Sequence, residues 1–389
     1  MDTPEGGQAV PHSLAPEQGP RVLFFSGGTA LNGVARYLKA FTHNTMHLLT
    51  PFDSGGSSAV LRDAFGMPAV GDLRSRLLAL ANESSPEYSA MRALFTQRLT
   101  RFDSPEGLLA LVSVMAAGQH PLMLALSPAI RPVVCQQLDT LLRRMPAGFD
   151  LRGASVGNLI LAGSFLNSER CLASALRRCG EWLGVQGVVR PIVDAVGHLG
   201  AALDDGRVLM GQHLLTGKEA PPLASPIQRL FLSQAIHQFE PGSFALNEAS
   251  RSLIGTADIV CYPPGSFYSS LIANLLPSGV SAAIAENDCP KVFIPNLGSD
   301  PEQIGMNFER VLGTLLAHLQ CEGDEMLPRS SVLNYVLVDT AGGHYPYKID
   351  DALVKALGLK ILDMPLVTES STPYYDDRRL AEALLSLVP

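Results

Sequence analysis

The sequence lacks an excess of basic residues. It has 29 Lys and Arg residues against 37 Asp and Glu residues, which gives a formal net charge of −8 at pH 7. Proteins that bind DNA or RNA over a broad surface carry clustered positive charge that neutralises the phosphates. This composition excludes such a surface, although a local pair such as Arg74 and Arg76 could still bind one phosphate. We therefore expect no nucleic-acid partner.

Cysteine motifs are also lacking. The six cysteines lie between Cys135 and Cys321 without a CxxC pair or a cluster with histidine. Zinc sites and redox pairs depend on such close spacing. The pattern favours reduced, mostly structural thiols, as in proteins of the cytoplasm. We therefore expect a cytoplasmic location.

Long uninterrupted apolar runs are lacking as well. The two most apolar stretches, residues 108–130 and 271–285, are interrupted by Gln119-His-Pro121 and by Pro277-Ser-Gly279. A membrane-spanning helix needs about 20 consecutive apolar residues. Residues 1–20 have neither the basic start nor the apolar core of a signal peptide. We expect no membrane partner, and we expect residues 1–20 to form a disordered tail.

The sequence does contain enough apolar material for a sizeable core. Of its 389 residues, 47% are hydrophobic, and this length permits one large or two ordinary domains. Apolar strand-like runs alternate with helical segments, which is typical of a mostly parallel sheet with helices on both faces. We predict a single α/β domain over residues 21–389, with a helical insertion at about residues 60–150.

Residues 21–33 predict a strand, a glycine turn and a helix in direct succession. Val22 to Phe25 is a short apolar run, and Gly27 with Gly28 permits a tight turn with uncovered backbone N–H groups. Thr29 or Asn32 could cap the following helix, whose positive end would face a ligand over the turn. A phosphate fits this arrangement. A purely structural turn between strand and helix fits the same residues, because no full GxGxxG is present.

A second polar loop follows the next predicted strand, residues 45–50. In a doubly wound fold this loop lies beside the first turn, and an acidic residue there commonly faces a ribose or a metal. Asp53 has this position. The residues behind it can surround phosphate oxygens with backbone and hydroxyl donors: Ser54, Gly55, Gly56, Ser57 and Ser58. In the alternative interpretation Asp53 makes only an Asx-turn at the surface.

The middle of the chain supplies further candidates. Helical periodicity is clearest in residues 73–80, 88–99 and 135–145. Asp72 and Arg74 open the first of these helices, where Asp72 could serve only as an N-cap and Arg74 only as a solvated charge. Asn158 stands at the head of an apolar helix, where it could contact a ligand or cap the helix. Residues 185–192 and 207–215 alternate like strands, which predicts a small antiparallel excursion.

The opening pattern recurs later in the chain. A strand-like run over residues 257–262 leads into Gly265 and Ser266 and then into an apolar helix. This second turn suits another anionic or polar group of one extended ligand. Further strands are predicted at residues 291–295 and 331–338, with helices at 307–319 and 376–387. The ligand is expected along the carboxyl edge of the resulting sheet.

These motifs, in this order, resemble those of the CofD-like family, which includes 2-phospho-L-lactate transferases and YvcK-type gluconeogenesis factors. The resemblance covers most of residues 21–320. It depends on six stretches of the sequence: Ser26-Gly-Gly-Thr29, Asp53-Ser-Gly-Gly-Ser-Ser58, Gly71-Asp-Leu-Arg74, Val156-Gly-Asn-Leu159, Pro264-Gly-Ser-Phe-Tyr-Ser-Ser270 and Asn296. The resemblance implies a Rossmann-like core, a nucleotide diphosphate bound across these loops, and a homodimer.

The resemblance also implies roles for individual residues. Asp53 would hold a divalent ion, expected to be Mg²⁺, or take the acceptor's proton, and Arg74 would offset developing charge. No tightly bound organic cofactor is predicted. The predicted ligand-binding residues are Gly27, Gly28, Thr29, Ser54, Gly55, Gly56, Ser57, Ser58, Asn158, Gly265, Ser266, Tyr268 and Asn296.

Three functions stay open at this point. The first is an enzyme that moves a phospho-acyl group from a nucleoside diphosphate ester to a hydroxyl acceptor. The second is a regulatory protein that binds a nucleotide or a UDP-sugar without chemistry. The third is an NAD(P) oxidoreductase, which the missing dinucleotide fingerprint disfavours.

Overall fold

Residues 15–388 are described by the computed structural model. Most of the predicted tail, residues 1–14, lies outside the described residues, as does Pro389. The described end of that segment forms a 3₁₀ helix, Pro16–Gln18. The side-chain amide of Asn44 donates to the carbonyl of Gly19 at 2.7 Å. Residues 15–20 are therefore attached to the domain rather than forming part of a tail.

A parallel sheet forms the centre of the described chain and confirms the predicted α/β class. In chain order the strands are β1 (Val22–Ser26), β2 (Met46–Leu49), β3 (Val188–Pro191), β4 (His198–Leu203), β5 (Val208–Met210), β6 (Ile227–Ser233), β7 (Ile259–Tyr262), β8 (Lys291–Phe293), β9 (Cys321–Glu322), β10 (Glu325–Met326), β11 (Tyr335–Val338) and β12 (Lys360–Asp363). Seven of these strands pair in the order β12-β11-β8-β7-β1-β2-β3, and every pair is parallel.

The chain reverses its direction of travel across this sheet between β1 and β7. From β1 the chain adds β2 and β3 on one side, and it then returns to add β7, β8, β11 and β12 on the other. Ligands of open α/β sheets bind outside the carboxyl ends of the strands at such a switch point. The glycine turn after β1 and the second turn after β7 flank this position.

Helices cover both faces of the sheet. They are α1 (Asn32–Leu38), α2 (Gly56–Phe65), α3 (Gly71–Leu80), α4 (Tyr88–Thr96), α5 (Pro105–Ala116), α6 (Pro121–Leu124), α7 (Arg131–Arg144), α8 (Val156–Asn167), α9 (Leu172–Leu183), α10 (Glu248–Gly255), α11 (Ala273–Leu275), α12 (Val280–Glu286), α13 (Phe308–Gln320), α14 (Arg329–Val332), α15 (Asp351–Ala356) and α16 (Asp377–Leu385). Alternate residues of β1 enter different cores: Leu23 packs towards α12 and α13, and Phe24 packs towards α1 and α16. Each face of the sheet is therefore buried.

The helical insertion is longer than predicted. Helices α2 to α9 build a separate apolar cluster against the β2 and β3 side of the sheet, so the insertion runs from Gly56 to Leu183 rather than over residues 60–150. By length and composition Pro105–Leu124 is apolar enough to cross a membrane, with a mean hydropathy of 1.5. The structure divides this stretch into α5 and α6.

The predicted antiparallel excursion exists but uses different residues. Strands β4, β5 and β6 form a three-stranded antiparallel sheet. The prediction that residues 185–192 belong to this excursion is wrong: Val188 pairs with Met46, so β3 extends the parallel sheet. A short strand shows the same alternation of apolar and polar residues in a parallel and in an antiparallel sheet. Only the strand with which it pairs in the folded protein decides to which sheet it belongs.

Candidate functional site

Three polar turns meet at the carboxyl ends of neighbouring strands. They follow β1, β2 and β7, which lie side by side in the sheet. A cavity of about 100 Å³ between the first and third turns, here called the turn cavity, is lined by Gly27, Gly28, Gly265, Ser266 and Lys218 among others. The turn cavity lies at the switch point between β1 and β7. The predicted convergence of the glycine turns is thus present in the structure.

The two glycines of the first turn have different reasons for being glycine. A Cβ on Gly27 would lie 2.5 Å from the Ser270 hydroxyl, so its backbone packs directly against protein. Gly28 has a φ of +31° and no atom within 4 Å of a built Cβ. Its N–H donates to Asp72 Oδ2 at 2.7 Å. Only Gly28 therefore combines a positive φ with open space for a ligand.

The cap predicted for the first helix does not form. Leu31 is at the N-cap of α1 and makes no side-chain hydrogen bond, so neither Thr29 nor Asn32 caps the helix. Asn32 instead donates through Nδ2 to the Ser75 hydroxyl at 3.0 Å. Helix α1 has seven residues, and its end is a weak source of positive potential compared with longer helices. Thr29 itself is exposed beside the turn.

The Asp53 loop both closes a turn and presents a carboxylate. Asp53 Oδ1 accepts from the N–H of Gly55 at 3.0 Å, which is the predicted Asx-turn. The Ser54 hydroxyl is directed to His213 Nδ1 at 2.8 Å and is buried. Asp53 borders a wide cavity of about 580 Å³, here called the insertion cavity, which also exposes Thr29, Gly55, Gly56, Ser57, Ser58 and Asn158. Asp53 can therefore close the Asx-turn and border the insertion cavity at the same time.

Helix α2 begins inside this loop, and a side chain of the protein accepts from the N–H of its first residue. Gly56, with a φ of +48°, is its first residue. The Gly56 N–H donates to Glu219 Oε2 at 3.2 Å. A Cβ on Gly55 would lie 2.7 Å from Glu219 Oε1. A carboxylate of the protein therefore occupies the position where helix N-termini bind anions.

Asp72 and Arg74 line the insertion cavity. The interpretations that gave them only structural roles, Asp72 as an N-cap and Arg74 as a solvated charge, are wrong. Val70 is at the N-cap of α3, and Asp72 instead accepts from Gly28. Arg74 is not solvated: it is partly buried, and its Nη1 donates to the carbonyl of Phe95 at 2.7 Å. Burial, together with the neighbouring positive charge of Arg98, lowers the pKa of Arg74 to about 10.

Asn158 lies at the floor of the insertion cavity, one turn inside α8. It is 2% exposed, and its Nδ2 donates to the Ser57 hydroxyl at 3.1 Å. Its Oδ1 is buried and has no hydrogen-bond partner within residues 15–388. Turning the amide by 180° only exchanges the two atoms, so one half of the amide stays unpaired in either orientation. Buried polar atoms in proteins are nearly always hydrogen-bonded, so this unpaired atom marks Asn158 as a candidate ligand contact.

Gly157 explains how Arg74 reaches this floor. A Cβ on Gly157 would lie 2.7 Å from Arg74 Cδ and 2.6 Å from the carbonyl oxygen of Phe95. Only glycine at this position lets α8 approach α4 and the Arg74 side chain so closely. Gly157 is thus a packing residue beside the site.

The third turn is held by side chains of the following loop. Gly265 has a φ of +148°, its N–H donates to Asn296 Oδ1 at 2.7 Å, and Asn296 Nδ2 donates back to its carbonyl. Asn296 therefore positions the turn with both ends of its amide. Ser266 lines the turn cavity. Tyr268 does not: its side chain is buried, and its hydroxyl donates to the carbonyl of Ile227 at 3.3 Å.

Two carboxylates hold the π-helix Phe267–Ile272 that follows this turn. Asp300 Oδ2 accepts from the N–H of Phe267, and Glu302 Oε2 accepts from the N–H groups of Tyr268 and Ser269, each at 2.8 Å. Burial raises the pKa of Glu302 from 4.5 to about 7, and repulsion by Asp300 adds to the shift. These N–H groups are used by the protein and are closed to a ligand.

Two carboxylates of the insertion cavity are candidates for contact with a divalent ion. No group of three or more His, Cys, Asp or Glu side chains with metal-binding geometry occurs among residues 15–388. Asp53 and Asp72 both line the insertion cavity, and Asp53 Oδ2 faces Gly71. Mg²⁺ is commonly held by one or two carboxylates together with substrate phosphates and water. The residues present fit that mode, with Asp53 as the protein's ligand.

The cavities lie next to one another along the carboxyl edge and share lining residues, and together they are here called the trough. Ala30, Pro264, Gly265 and Ser266 line both the turn cavity and a neighbouring cavity of about 450 Å³, here called the tyrosine cavity because Tyr374 and Tyr375 border it. Gly28 and Ser266 connect the turn cavity to a space of about 220 Å³, which shares Asp53 and Asp72 with the insertion cavity. The trough therefore runs from Tyr374, across the switch point, to the insertion.

Comparison with known proteins identifies the family. The family model described as 2-phospho-L-lactate transferase CofD matches residues 22–367. The chain belongs to the CofD family. The CofD match contains all three turns and the whole insertion, which confirms the resemblance found in the motifs.

Individual relatives match the CofD-type chain over nearly its full length. A protein of Thermoanaerobacterium thermosulfurigenes is 28% identical over 377 residues, covering 95% of this chain and 97% of its own. The gluconeogenesis factor of Bacillus subtilis (strain 168) is 26% identical over 380 residues, covering 95% and 99%. The crystal structure of a UPF0052 family member from Bacillus halodurans superposes with a TM-score of 0.70 at 23% identity, covering 95% and 99%. This last likeness concerns the fold.

Sequence reasoning missed several residues of the trough. Lys218 and Glu219 lie in the connection between β5 and β6, far from any glycine motif. Arg98 and Arg101 lie in the connection after α4 and also line the insertion cavity. No local pattern marks these residues, because only the folded insertion and the folded connection bring them to the trough.

Proposed function

We propose that this CofD-family protein binds a nucleoside diphosphate ester or a nucleotide-sugar in the trough. The observation that supports this most is the row of adjacent cavities across the switch point, two of which are lined by Gly28. The tyrosine cavity, with Val34, Leu380 and the exposed ring of Tyr374, suits a nucleobase and ribose. The diphosphate would lie over Gly28 and Ser266, near Lys218.

The reaction that fits this placement is transfer of a phospho-acyl group to a hydroxyl acceptor. The acceptor oxygen attacks the phosphorus of the ester, the bond from that phosphorus to the nucleoside monophosphate breaks, and the monophosphate leaves with the bonding electrons. The hydroxyl proton passes to Asp72, because this carboxyl lines the same cavity and burial raises its pKa. Arg74 offsets the negative charge that develops on the transferred group.

Mg²⁺, when bound by Asp53 with phosphate oxygens, would neutralise charge on the departing phosphate. Asp53 Oδ1 closes the turn, whereas its Oδ2 lies near Gly71, another residue that lines the insertion cavity. This division of the two oxygens lets Asp53 hold the ion without loss of the loop geometry. Without a bound ion, Asp53 is the alternative proton acceptor.

A second function has its own support. The Bacillus subtilis relative that matches 95% of this chain carries the name gluconeogenesis factor rather than that of a transferase. The described residues also contain no three-carboxylate cluster. The alternative is a regulatory protein that binds a nucleotide or UDP-sugar in the same trough and responds without turnover. A homodimeric state and a cytoplasmic location accompany both proposals as untested predictions.

Thermal unfolding with a ligand panel tests the shared part of these proposals. GDP, GTP, a UDP-sugar and NAD are each added with and without Mg²⁺. A ligand present at 100 times its dissociation constant adds about 2.7 kcal/mol to the free energy of unfolding. Stabilisation by a nucleoside diphosphate, and less by NAD, is the expected result. A panel without any stabilising nucleotide would contradict the proposal.

Turnover separates the enzyme from the regulator. The protein is incubated with the stabilising nucleotide's ester, Mg²⁺ and a hydroxyl acceptor, and nucleoside monophosphate is measured. Acceptor-dependent release supports the transferase. Tight binding without release supports the regulatory alternative.

A further inference from the structure

Three arginines line the insertion cavity without an acidic partner. They are Arg74, Arg98 and Arg101. Within residues 15–388 no Asp or Glu oxygen lies within 4 Å of their side-chain nitrogens. By contrast, arginines elsewhere in the described chain form most of its ion pairs. Three like charges around one cavity repel one another unless an anion lies between them. The arrangement is therefore that of an incomplete anion site.

The backbone holds the two outer arginines in place. Leu99 N–H donates to the carbonyl of Ala154 at 2.9 Å, and Arg98 forms an antiparallel bridge with Ser155. This pairing joins the connection after α4 to the segment that enters α8. Gly153, with a φ of +70°, would place a Cβ only 2.9 Å from Arg101 Nε, so glycine makes room for that side chain. The two side chains thus extend from a braced segment rather than a free loop.

The floor beneath them carries unused polar atoms. Arg74 donates from Nη1 to the protein, but its Nε is buried and unpaired. Asn158, 2% exposed, has an unpaired Oδ1 in the first turn of α8, and this oxygen accepts rather than donates. Arginine side chains recognise planar and tetrahedral oxyanions through several N–H groups at once. The donors around this cavity are therefore the guanidinium groups, with Arg98 and Arg101 exposed above Arg74.

Carboxylates line the same cavity. Asp53, Asp72 and Glu219 are among its lining residues, and Glu219 accepts from the N–H of Gly56. None of these three carboxylates forms an ion pair with the arginines. The carboxylates suit a cation or a metal-bound phosphate, whereas the arginines suit a free anion.

We propose that Arg98 and Arg101 bind an anionic group of a second ligand, a phosphate or a carboxylate, apart from the nucleotide diphosphate. In the transferase this ligand is the acceptor, and that assignment alone rests on the proposed function. The anion site itself depends only on the arginines. It predicts that an acceptor without an anionic group is a poor ligand.

A matched pair of double variants tests the site. R98Q/R101Q removes two rim charges. R92Q/R144Q removes the same charge from two exposed arginines of the insertion that do not line the cavity. The dissociation constants of inorganic phosphate and of glycolate are measured by thermal unfolding titration at constant ionic strength, with and without saturating GDP.

We expect R98Q/R101Q to weaken the binding of phosphate or glycolate at least tenfold, a loss of about 1.4 kcal/mol. We expect R92Q/R144Q to change it less than twofold. Whichever anion binds more tightly identifies the group. Equal weakening in both variants, or no saturable binding of either anion to the wild-type protein, would overturn the inference.

The GDP titrations keep this inference separate from the proposed function. If R98Q/R101Q weakens GDP binding as strongly as anion binding, the arginines belong to the nucleotide site and the inference is wrong while nucleotide binding stands. If the wild-type protein does not bind GDP or another nucleotide, the proposed function fails, and the anion titrations without GDP still decide the inference. Both variants introduce Gln at exposed positions, where no core packing is lost. Their unfolding midpoints without ligand show whether the fold is destabilised.

Discussion

The Glu219 carboxylate accepts a hydrogen bond from the N–H of Gly56 at 3.2 Å, at the first turn of α2. The protein thereby places one of its own anions where a ligand phosphate is expected. Other turn N–H groups are used in the same way, since Asp72 accepts from Gly28 and Asn296 from Gly265. Ligand binding at these turns must therefore compete with, or add to, contacts that the protein already makes.

Removing Glu219 should strengthen nucleotide binding. Glu219→Ala frees the Gly56 N–H and removes a negative charge near the phosphate position. Because the side chain is exposed, we expect a gain of about twofold to fivefold in affinity, in the range of exposed charge pairs. The measurement is GDP affinity by calorimetry. Glu240→Ala, at another exposed acid outside the trough, is the control, and weaker binding by the Glu219 variant would show that this carboxylate supports the ligand.

Asp53→Asn should abolish Mg²⁺-dependent turnover and leave nucleotide binding largely intact. An asparagine Oδ1 can still accept from Gly55, so the turn persists while the negative charge is lost. Turnover and GDP affinity are measured across Mg²⁺ concentrations. Asp63→Asn on the exposed side of α2 is the matched control. A full rate in the Asp53 variant would make this residue part of a structural turn only.

Gly28→Val and Gly265→Val should separate ligand contact from backbone strain. Both positions have positive φ, where a β-branched residue costs about 1–3 kcal/mol. No protein atom lies within 4 Å of a Cβ on Gly28, so any further loss there comes from ligand exclusion. We expect loss of nucleotide binding to dominate at Gly28, and loss of both binding and stability at Gly265.

Gly206→Val is the control for these two variants. Gly206 has a φ of +87° and open space around it, and it lies between β4 and β5 away from the trough. It should lose stability alone. Variants at Gly28 or Gly265 that are destabilised but bind nucleotide normally per folded molecule would count against the phosphate contact.

Glu302 should make the protein less stable as the pH rises from about 5 to 7. Burial raises its pKa to about 7 in the folded protein, against 4.5 when unperturbed. The folded state therefore binds this proton more tightly, so the stabilising effect is full below pH 4.5 and is lost as the pH passes 7. The slope is at most about 1.4 kcal/mol per pH unit. Glu302→Gln should reduce the change of the unfolding midpoint with pH over this range. Glu325→Gln, at an exposed hairpin, should leave that pH dependence unchanged. If the unfolding midpoint of the Glu302 variant depends on pH as in the wild-type protein, Glu302 is not the group responsible.

Much of the fold could be predicted from local patterns. Local sequence was enough to predict the strand from Val22 to Phe25, the glycine turn after it and the similar turn at Gly265. Apolar periodicity and turn chemistry are local properties, so they can be read without knowledge of tertiary contacts. The order of these units implied a parallel sheet, and the motifs implied the family. The approach of the three turns to one another followed from the rule that parallel strands end at one edge.

The tertiary structure decided which atoms of these turns are free. Asn296 and Asp72 were candidates on sequence, but whether they hold a ligand or the turn itself depends on partners more than 30 residues away. The strand β3 was assigned to the wrong sheet for the same reason, since its pairing with β2 crosses the whole insertion. Arg98, Arg101 and Glu219 have no local signature, and long-range packing alone brings them to the trough. Sequence thus determined the elements and the family, whereas the charge distribution of the site depends on contacts between distant segments, which no local pattern encodes.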